Sequence, residues 1–288
     1  MQLSGPQFNQ NPRYVVAIIG NPVFHTMSPL MHNAGYQYLG LPYTYVPFEV
    51  EHRSLADALT GAKALGIRGL SVTIPFKESV IPYLDEIDPL AGRIGAVNTV
   101  VIQAGRLKGF NTDVQGVVAP LEKRVVLNHS RIVIFGSGGA ARAAAFALRE
   151  RGASVTICAR NLITADKLVS DIDGLRFVDL SSLTSLGGYD VIVNATPAGM
   201  NGDTPFLPTL LSSEQIVFDM VYKPRKTMLL QHIESLGGVG IEGLEMLLHQ
   251  GMAQFKLFTG VEAPEQSMRV ALGICNYSGI FPISSSSD

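Results

Sequence analysis

The segment Arg131–Arg151 constrains the fold of this chain more than any other. It reads RIVIF, then Gly136-Ser137-Gly138-Gly139-Ala140-Ala141-Arg142, then an alanine-rich stretch. A short β-branched run, clustered glycines and strong helix formers predict a strand, a tight turn and a helix from Ala140 to Arg151. Gly136, Gly138 and Ala141 have the spacing of a dinucleotide-binding turn, which accepts alanine in its third place. The first glycine permits the turn and the second lets backbone approach a pyrophosphate. The small third residue lets helix and strand pack closely. Ser137, Gly139 and Ala140 complete a helix start whose free N–H groups and dipole favour phosphate. Taken alone, the same pattern also fits a purely structural turn.

Context favours the cofactor reading. Further strands are expected at Ser154–Cys158, Tyr189–Asn194 and Ile216–Met220. Repeated β-α-β order predicts a doubly wound nucleotide-binding domain. After the second strand of this block stands Ala159-Arg160-Asn161. An NAD site usually carries an acidic residue there for the ribose 2′-hydroxyl. Arg160 suits the 2′-phosphate of NADP instead, the other reading being a solvated surface arginine.

Upstream lies a second alternating block. Tyr14–Gly20, Tyr43–Val50 and Leu70–Pro75 read as strands, and Ser28–Leu39 and Ser54–Leu65 as helices. Val97–Phe110 reads as a hairpin turning at Ala104-Gly105. Asp113–Lys123 reads as a helix, with a turn at Asn128–Ser130, and the chain closes with helices near Gly243–Thr259 and Glu265–Ile274. The expected class is α/β, with two α/β domains.

Bulk properties narrow the function. The chain has 288 residues, 47% hydrophobic and 16% charged, with a formal net charge of −2. That supports a buried core and offers no basic surface for nucleic acid or an anionic membrane. No run reaches the roughly 18 apolar residues of a membrane span. Met1–Pro12 is polar, unlike a signal peptide, and Ile283–Asp288 is expected to fray. Cys158 and Cys275 are the only cysteines and stand far apart, which fits buried thiols in a reducing cytoplasm. The 6 histidines show no tight ligand spacing, so no metal site is expected.

Polar residues cluster at the ends of the upstream elements. Thr26 and Ser28 suit a carboxylate, although Ser28 equally suits a helix N-cap. Lys77 follows a strand, where α/β enzymes place reacting groups, yet an exposed lysine there is unremarkable by itself. Asp113 either caps the helix it precedes or faces a site.

Together these segments resemble shikimate dehydrogenases from about Val16 to Gly273. The family's G-x-P-x-x-H-S-x-S-P is matched by Gly20, Pro22, His25, Ser28 and Pro29, with Thr26 for the first serine. V-T-I-P-x-K falls at Val72–Lys77, G-A-V-N-T at Gly95–Thr99 and N-T-D at Asn111–Asp113. N-A-T-P-x-G-M follows at Asn194–Met200, D-x-V-Y-x-P at Asp219–Pro224 and G-x-x-M-L-x-x-Q at Gly243–Gln250.

The resemblance implies reversible NADPH-linked reduction of 3-dehydroshikimate to shikimate, on the route to chorismate and the aromatic amino acids. It implies Lys77 and Asp113 as the catalytic pair, and Thr26, Ser28, Thr73, Asn98, Tyr222 and Gln250 around the substrate. Thr196, Met200 and Gly243 would line the nicotinamide pocket. The implied architecture is a substrate-binding domain of residues 1–112 plus 247–288, with a mainly parallel sheet. A Rossmann-type NADP(H)-binding domain of residues 113–246 would face it across a cleft. The expected partners are a small-molecule substrate and, as assembly, a homodimer.

The chain departs from the family at several places. Ser71 replaces the asparagine common in bacterial members, as in plant-type ones, and Val114 replaces a common glycine. Thr164 stands at a second, usually basic, position beyond Arg160, which relaxes the expectation for NADP. A quinate/shikimate dehydrogenase with broader cofactor use and a non-catalytic ligand sensor are the alternative readings.

Overall fold

A computed structural model describes residues 13–274 of the chain. Cys275, Met1–Pro12 and the serine-rich tail lie outside the described residues. Among the described residues twelve strands form two sheets. The first contains β1 (Tyr14–Gly20), β2 (Tyr43–Glu49), β3 (Gly69–Val72), β4 (Glu86–Ile87), β5 (Thr99–Gln103) and β6 (Arg106–Phe110). Its order is β2-β1-β3-β5-β6-β4. The β1–β2 and β1–β3 pairs are parallel, whereas β3–β5 and β5–β6 are antiparallel. The β5–β6 hairpin turns at Ala104 and Gly105, with φ of 49° and 73°, as expected for its twist.

The second sheet holds β7 (Arg131–Phe135), β8 (Ser154–Ala159), β9 (Arg176–Asp179), β10 (Val191–Asn194), β11 (Ile216–Asp219) and β12 (Val239–Ile241). Its order is β12-β11-β10-β7-β8-β9, parallel throughout. That is the doubly wound Rossmann order, in which the crevice between the first and fourth strands is the ligand position. Here those strands are β7 and β10.

Among the described residues ten α-helices cover the sheets. They are α1 (Ser28–Tyr38), α2 (Leu55–Ala64), α3 (Phe76–Ser79), α4 (Pro89–Ile94) and α5 (Asp113–Glu122), then α6 (Gly139–Glu150) and α7 (Leu162–Asp171). The last are α8 (Met228–Ser235), α9 (Gly243–Thr259) and α10 (Glu265–Ala271). Among the described residues no helix is long and apolar enough to cross a membrane. Helix α6 buries Ala141, Ala143, Ala144, Ala145 and Ala147 between its sheet and α5, so its small side chains let it approach both closely. Helices α5 and α9 also lie close. A Cβ on Gly116 of α5 would stand 2.9 Å from the Met246 carbonyl oxygen of α9.

Some local expectations change. The strand expected at Leu70–Pro75 ends at Val72, because its ladder with β5 stops at Ser71 opposite Thr99. Thr73 leaves the sheet, and Phe76 N–H bonds the Thr73 carbonyl, which starts the short α3 carrying Lys77. Ser28 is not an N-cap: Met27 holds that position, and the Ser28 hydroxyl meets Thr26 Oγ1 at 3.2 Å.

The inner face of α1 carries His32, which is fully buried. Its ring stacks on Tyr45 at 4.4 Å and 6° and lies near-parallel to Phe255. The nearby Gln254 amide is committed to Ser71, Asn98 and Thr99, so neither ring nitrogen has a partner. Burial therefore pushes the His32 pKa from 6.5 down to about 3. The unfolded chain protonates this histidine below about 6.5 while the fold keeps it neutral. Its contribution to stability is thus complete above about 6.5 and is lost as pH falls towards about 3. His32→Phe should flatten that acid limb in a series of thermal melts. An unchanged limb would exclude His32 as its source.

Candidate active site

The carboxyl ends of β7, β8 and β10 border a cavity of about 860 Å³. Its floor is the glycine-rich turn. Gly136 has φ +114°, and a Cβ there would stand 3.2 Å from the Ala195 carbonyl oxygen. This position needs glycine both for conformation and for space. A Cβ on Gly138 would meet nothing within 4 Å, so the backbone here faces open space. Gly139 begins α6, where an added Cβ would lie 3.4 Å from Lys77 Cδ. The turn thus touches the side chain of Lys77 from the other sheet. Ser137, Ala140 and Thr196 also line this cavity, whereas Ala141 lies buried beneath α6.

Arg160 borders the far end of the cavity and is exposed. Among the described residues its guanidinium makes no hydrogen bond or ion pair, so it is available to an anion. Asp203 lies within its field. The Gly199 N–H holds the Asp203 carboxyl below its usual range, and Arg160 adds to that effect. At the position where a second basic side chain is missing from the sequence, Thr164 Oγ1 bonds Ser137 Oγ at 2.6 Å. Asn161 caps α7, its Oδ1 accepting from the Ile163 and Thr164 N–H groups. Cys158 lines the cavity wall too, but burial pushes its thiol up to about 11, which makes it a poor nucleophile.

A second cavity, about 380 Å³, shares Thr73, Ile74, Lys77 and Pro197 with the first. The two spaces therefore meet at Lys77. Thr26, Ser28, Asn98, Asp113, Tyr222 and Gln250 line the smaller one, so the expected substrate-side residues converge from separate segments of the chain. Met200 and Gly243 line it as well. Burial pushes the Tyr222 phenol up, with the Thr26 hydroxyl opposing the shift, so the ring enters the site as a neutral donor.

Lys77 Nζ donates to Asp113 Oδ2 at 2.6 Å. The side chains are 16% and 4% exposed, which is nearly dry for an ion pair. Asp113 is the first residue of α5 and makes no cap; its other oxygen accepts from Asn98 Nδ2 at 2.8 Å. Asn98 Nδ2 also donates to Thr112 Oγ1, while Asn98 Oδ1 accepts from Thr99 Oγ1 and the Thr112 N–H. Both amide hydrogens of Asn98 are thus used within the protein. Its geometry makes it the residue that fixes Asp113.

Gln254 carries no motif in the sequence, yet it borders the smaller cavity and is 2% exposed. It accepts from Ser71 Oγ at 2.9 Å, and Ser71 accepts from Tyr45 OH at 2.6 Å. Its position four residues after Gln250, on the same face of α9, was the available signal. Among the described residues no three His, Cys, Asp or Glu side chains cluster as metal ligands.

Two α/β sheets facing across a continuous cleft, one with Rossmann order and a glycine-rich switch-point turn, define a two-domain nucleotide-binding-type α/β protein. Comparison with known proteins makes this specific. Residues 18–100 match the family described as shikimate dehydrogenase substrate binding domain, and residues 243–272 the shikimate 5′-dehydrogenase C-terminal domain. The NADP(+) shikimate dehydrogenase of Natronomonas pharaonis is 45% identical, covering 90% of this chain and 98% of that protein. A crystal structure of a shikimate dehydrogenase with NADP+ superposes with TM-score 0.87 at 39% identity, covering 96% of this chain and 100% of the other. The Thermus thermophilus enzyme in complex with NADP(H) and shikimate gives 0.83 at 36% identity, covering 90% and 98%. The chain belongs to the shikimate dehydrogenase family.

Asn98→Ala tests the role given to that amide. It would leave Asp113 Oδ1 and the buried Thr112 N–H without partners, costing about 1–3 kcal/mol. Urea denaturation should show this loss, and a variant as stable as the parent would contradict it.

Proposed function

We propose that this protein is an NADP-dependent shikimate dehydrogenase, reversibly reducing the ketone of 3-dehydroshikimate to the shikimate alcohol. The observation that carries the reading is the Lys77–Asp113 pair at the junction of the two cavities. The larger cavity fits a dinucleotide: Gly138 leaves backbone open to a pyrophosphate, and the unpaired Arg160 suits a 2′-phosphate. On this reading Gly136–Ala140, Arg160 and Thr196 form the NADP side with the buried Ala141 behind them, and Met200 and Gly243 in the smaller cavity face the nicotinamide. Residues 113–246 make up that domain, and residues 1–112 with 247–288 the substrate domain. On the same reading the protein is a cytoplasmic enzyme of aromatic amino acid biosynthesis.

NADPH, when bound, supplies the hydride to the ketone carbon. The remaining chemistry belongs to the protein. As the carbon–oxygen π pair withdraws onto oxygen, Lys77 Nζ brings positive charge to that atom and transfers a proton to it. The alcohol is complete, and the neutral amine regains its proton from solvent. In oxidation the amine takes the hydroxyl proton instead. Asp113 and Asn98 hold Nζ in place throughout, so alignment is built in before substrate arrives. Thr26, just before α1, and Ser28, its first residue, both carry hydroxyls into the smaller cavity and suit the ring carboxylate. Thr73, Tyr222 and Gln250 suit its hydroxyl groups.

The experiment is nicotinamide absorbance with shikimate and quinate, each against NADP and NAD. Shikimate with NADP should turn over fastest, and Lys77→Ala should lower kcat at least about a hundredfold while NADP+ still binds. Faster turnover with quinate or NAD would move the protein to the broader dehydrogenase. Binding without turnover in the parent protein would leave a ligand sensor.

A further inference from the structure

Asp219, the last residue of β11, has no exposed surface. Its carboxylate accepts from Asn194 Nδ2 at 2.9 Å, Val221 N–H at 3.0 Å and Thr227 Oγ1 at 2.6 Å. Among the described residues no lysine or arginine bonds it. A buried carboxylate without a cation is costly, and burial pushes its pKa upward despite these three bonds. A neutral side chain would serve a mere spacer at lower cost, so the bonds themselves need a function.

They join the two turns that wall the reaction space. Asn194 and Asp219 are register partners on adjacent parallel strands. Asn194 Nδ2 also donates to the Ala198 carbonyl at 2.8 Å, and its Oδ1 accepts from both Thr196 N–H and Thr196 Oγ1. That fixes the turn after β10, where Thr196 lines the larger cavity, Met200 the smaller and Pro197 both. The bond to Val221 fixes the turn after β11, where Met220 and Tyr222 line the smaller cavity. Thr227 adds a clamp from behind: its methyl lies 3.3 Å from where a Cβ on Gly199 would be.

We propose that Asp219 is a positioning residue for the reaction, holding the turn at 195–200 against the turn at 220–222 and thereby setting how cofactor and substrate face each other. The inference rests on the dehydrogenase reading above. Asn194 Nδ2 and the Val221 N–H can only donate, and both reach Oδ1, whereas the Thr227 hydroxyl on Oδ2 can donate or accept. An amide here keeps the acceptor at Oδ1 and reverses only the Thr227 bond, whereas removing the carboxylate leaves the Val221 N–H and an Asn194 amide hydrogen without that partner.

Asp219→Ala and the milder Thr227→Val test the proposal, with Asp219→Glu as the conservative control. In the cofactor-free protein, amide hydrogen exchange should accelerate at least about tenfold at 195–200 and 220–222, while β7 and β8 keep their protection. With NADPH deuterated at the transferred position, kcat should fall roughly tenfold to a hundredfold with the KM for NADPH within about twofold. The primary isotope effect on kcat should rise, because misalignment slows hydride transfer itself. Asp219→Glu should recover part of both. Exchange at the two turns matching the parent protein, or a lower kcat with an unchanged isotope effect, would overturn the proposal. A parent protein that binds NADP but turns over nothing would refute the dehydrogenase reading, while the exchange comparison still decides whether Asp219 holds the turns.

Discussion

A carboxylate that is 4% exposed needs partners, and Asp113 finds them in two places: Lys77 Nζ on one oxygen and Asn98 Nδ2 on the other. Removing either charge of such a pair costs several kcal/mol, whereas an apolar pair of the same size would be about as stable. The pair is therefore not a stability device. It holds an ammonium where the glycine-rich turn, the substrate-side loops and the cleft meet. Lys77 can be there because β3 ends at Val72 and the chain turns into α3. Asp113 can be there because β6 delivers the chain directly to the start of α5.

The second sheet supplies the other half by topology. Its strand order reverses between β7 and β10, so the turns after those strands splay apart and leave the cavity between them. Gly136 is wedged against Ala195 across that gap, which ties the glycine-rich turn to the turn carrying Thr196 and Met200. The buried Asn194–Asp219–Thr227 chain then carries the same order on to Tyr222. Backbone hydrogen bonds to a few buried polar side chains, rather than apolar contact, set the shape of the cleft.

Much of this was legible in the chain. Strand β1, the hairpin, α9 and the glycine-rich turn fall where periodicity and turn chemistry place them. So do the residues around Lys77, because each sits at the end of an element that a short motif marks. Other features depend on partners distant in sequence. The strand expected to run to Pro75 stops early because β5 no longer pairs with it, which no local signal reveals. Ser28 loses its capping role to a contact with Thr26. Asn98, expected beside the substrate, lines the smaller cavity and also bonds Thr99, Thr112 and Asp113, a network that its motif alone does not reveal. Gln254 and His32 are ordinary helical positions until α1 and α9 pack around Tyr45.

The central claim is that Lys77 stands at the reacting oxygen. A crystal structure of the protein with NADP+ and shikimate tests it most directly. The account predicts Lys77 Nζ within hydrogen-bonding distance, about 2.6–3.2 Å, of the hydroxyl that faces the nicotinamide, with Asp113 still bound to Nζ. A shikimate ring seated with that hydroxyl away from Lys77, or a nicotinamide outside the junction of the two cavities, would contradict it.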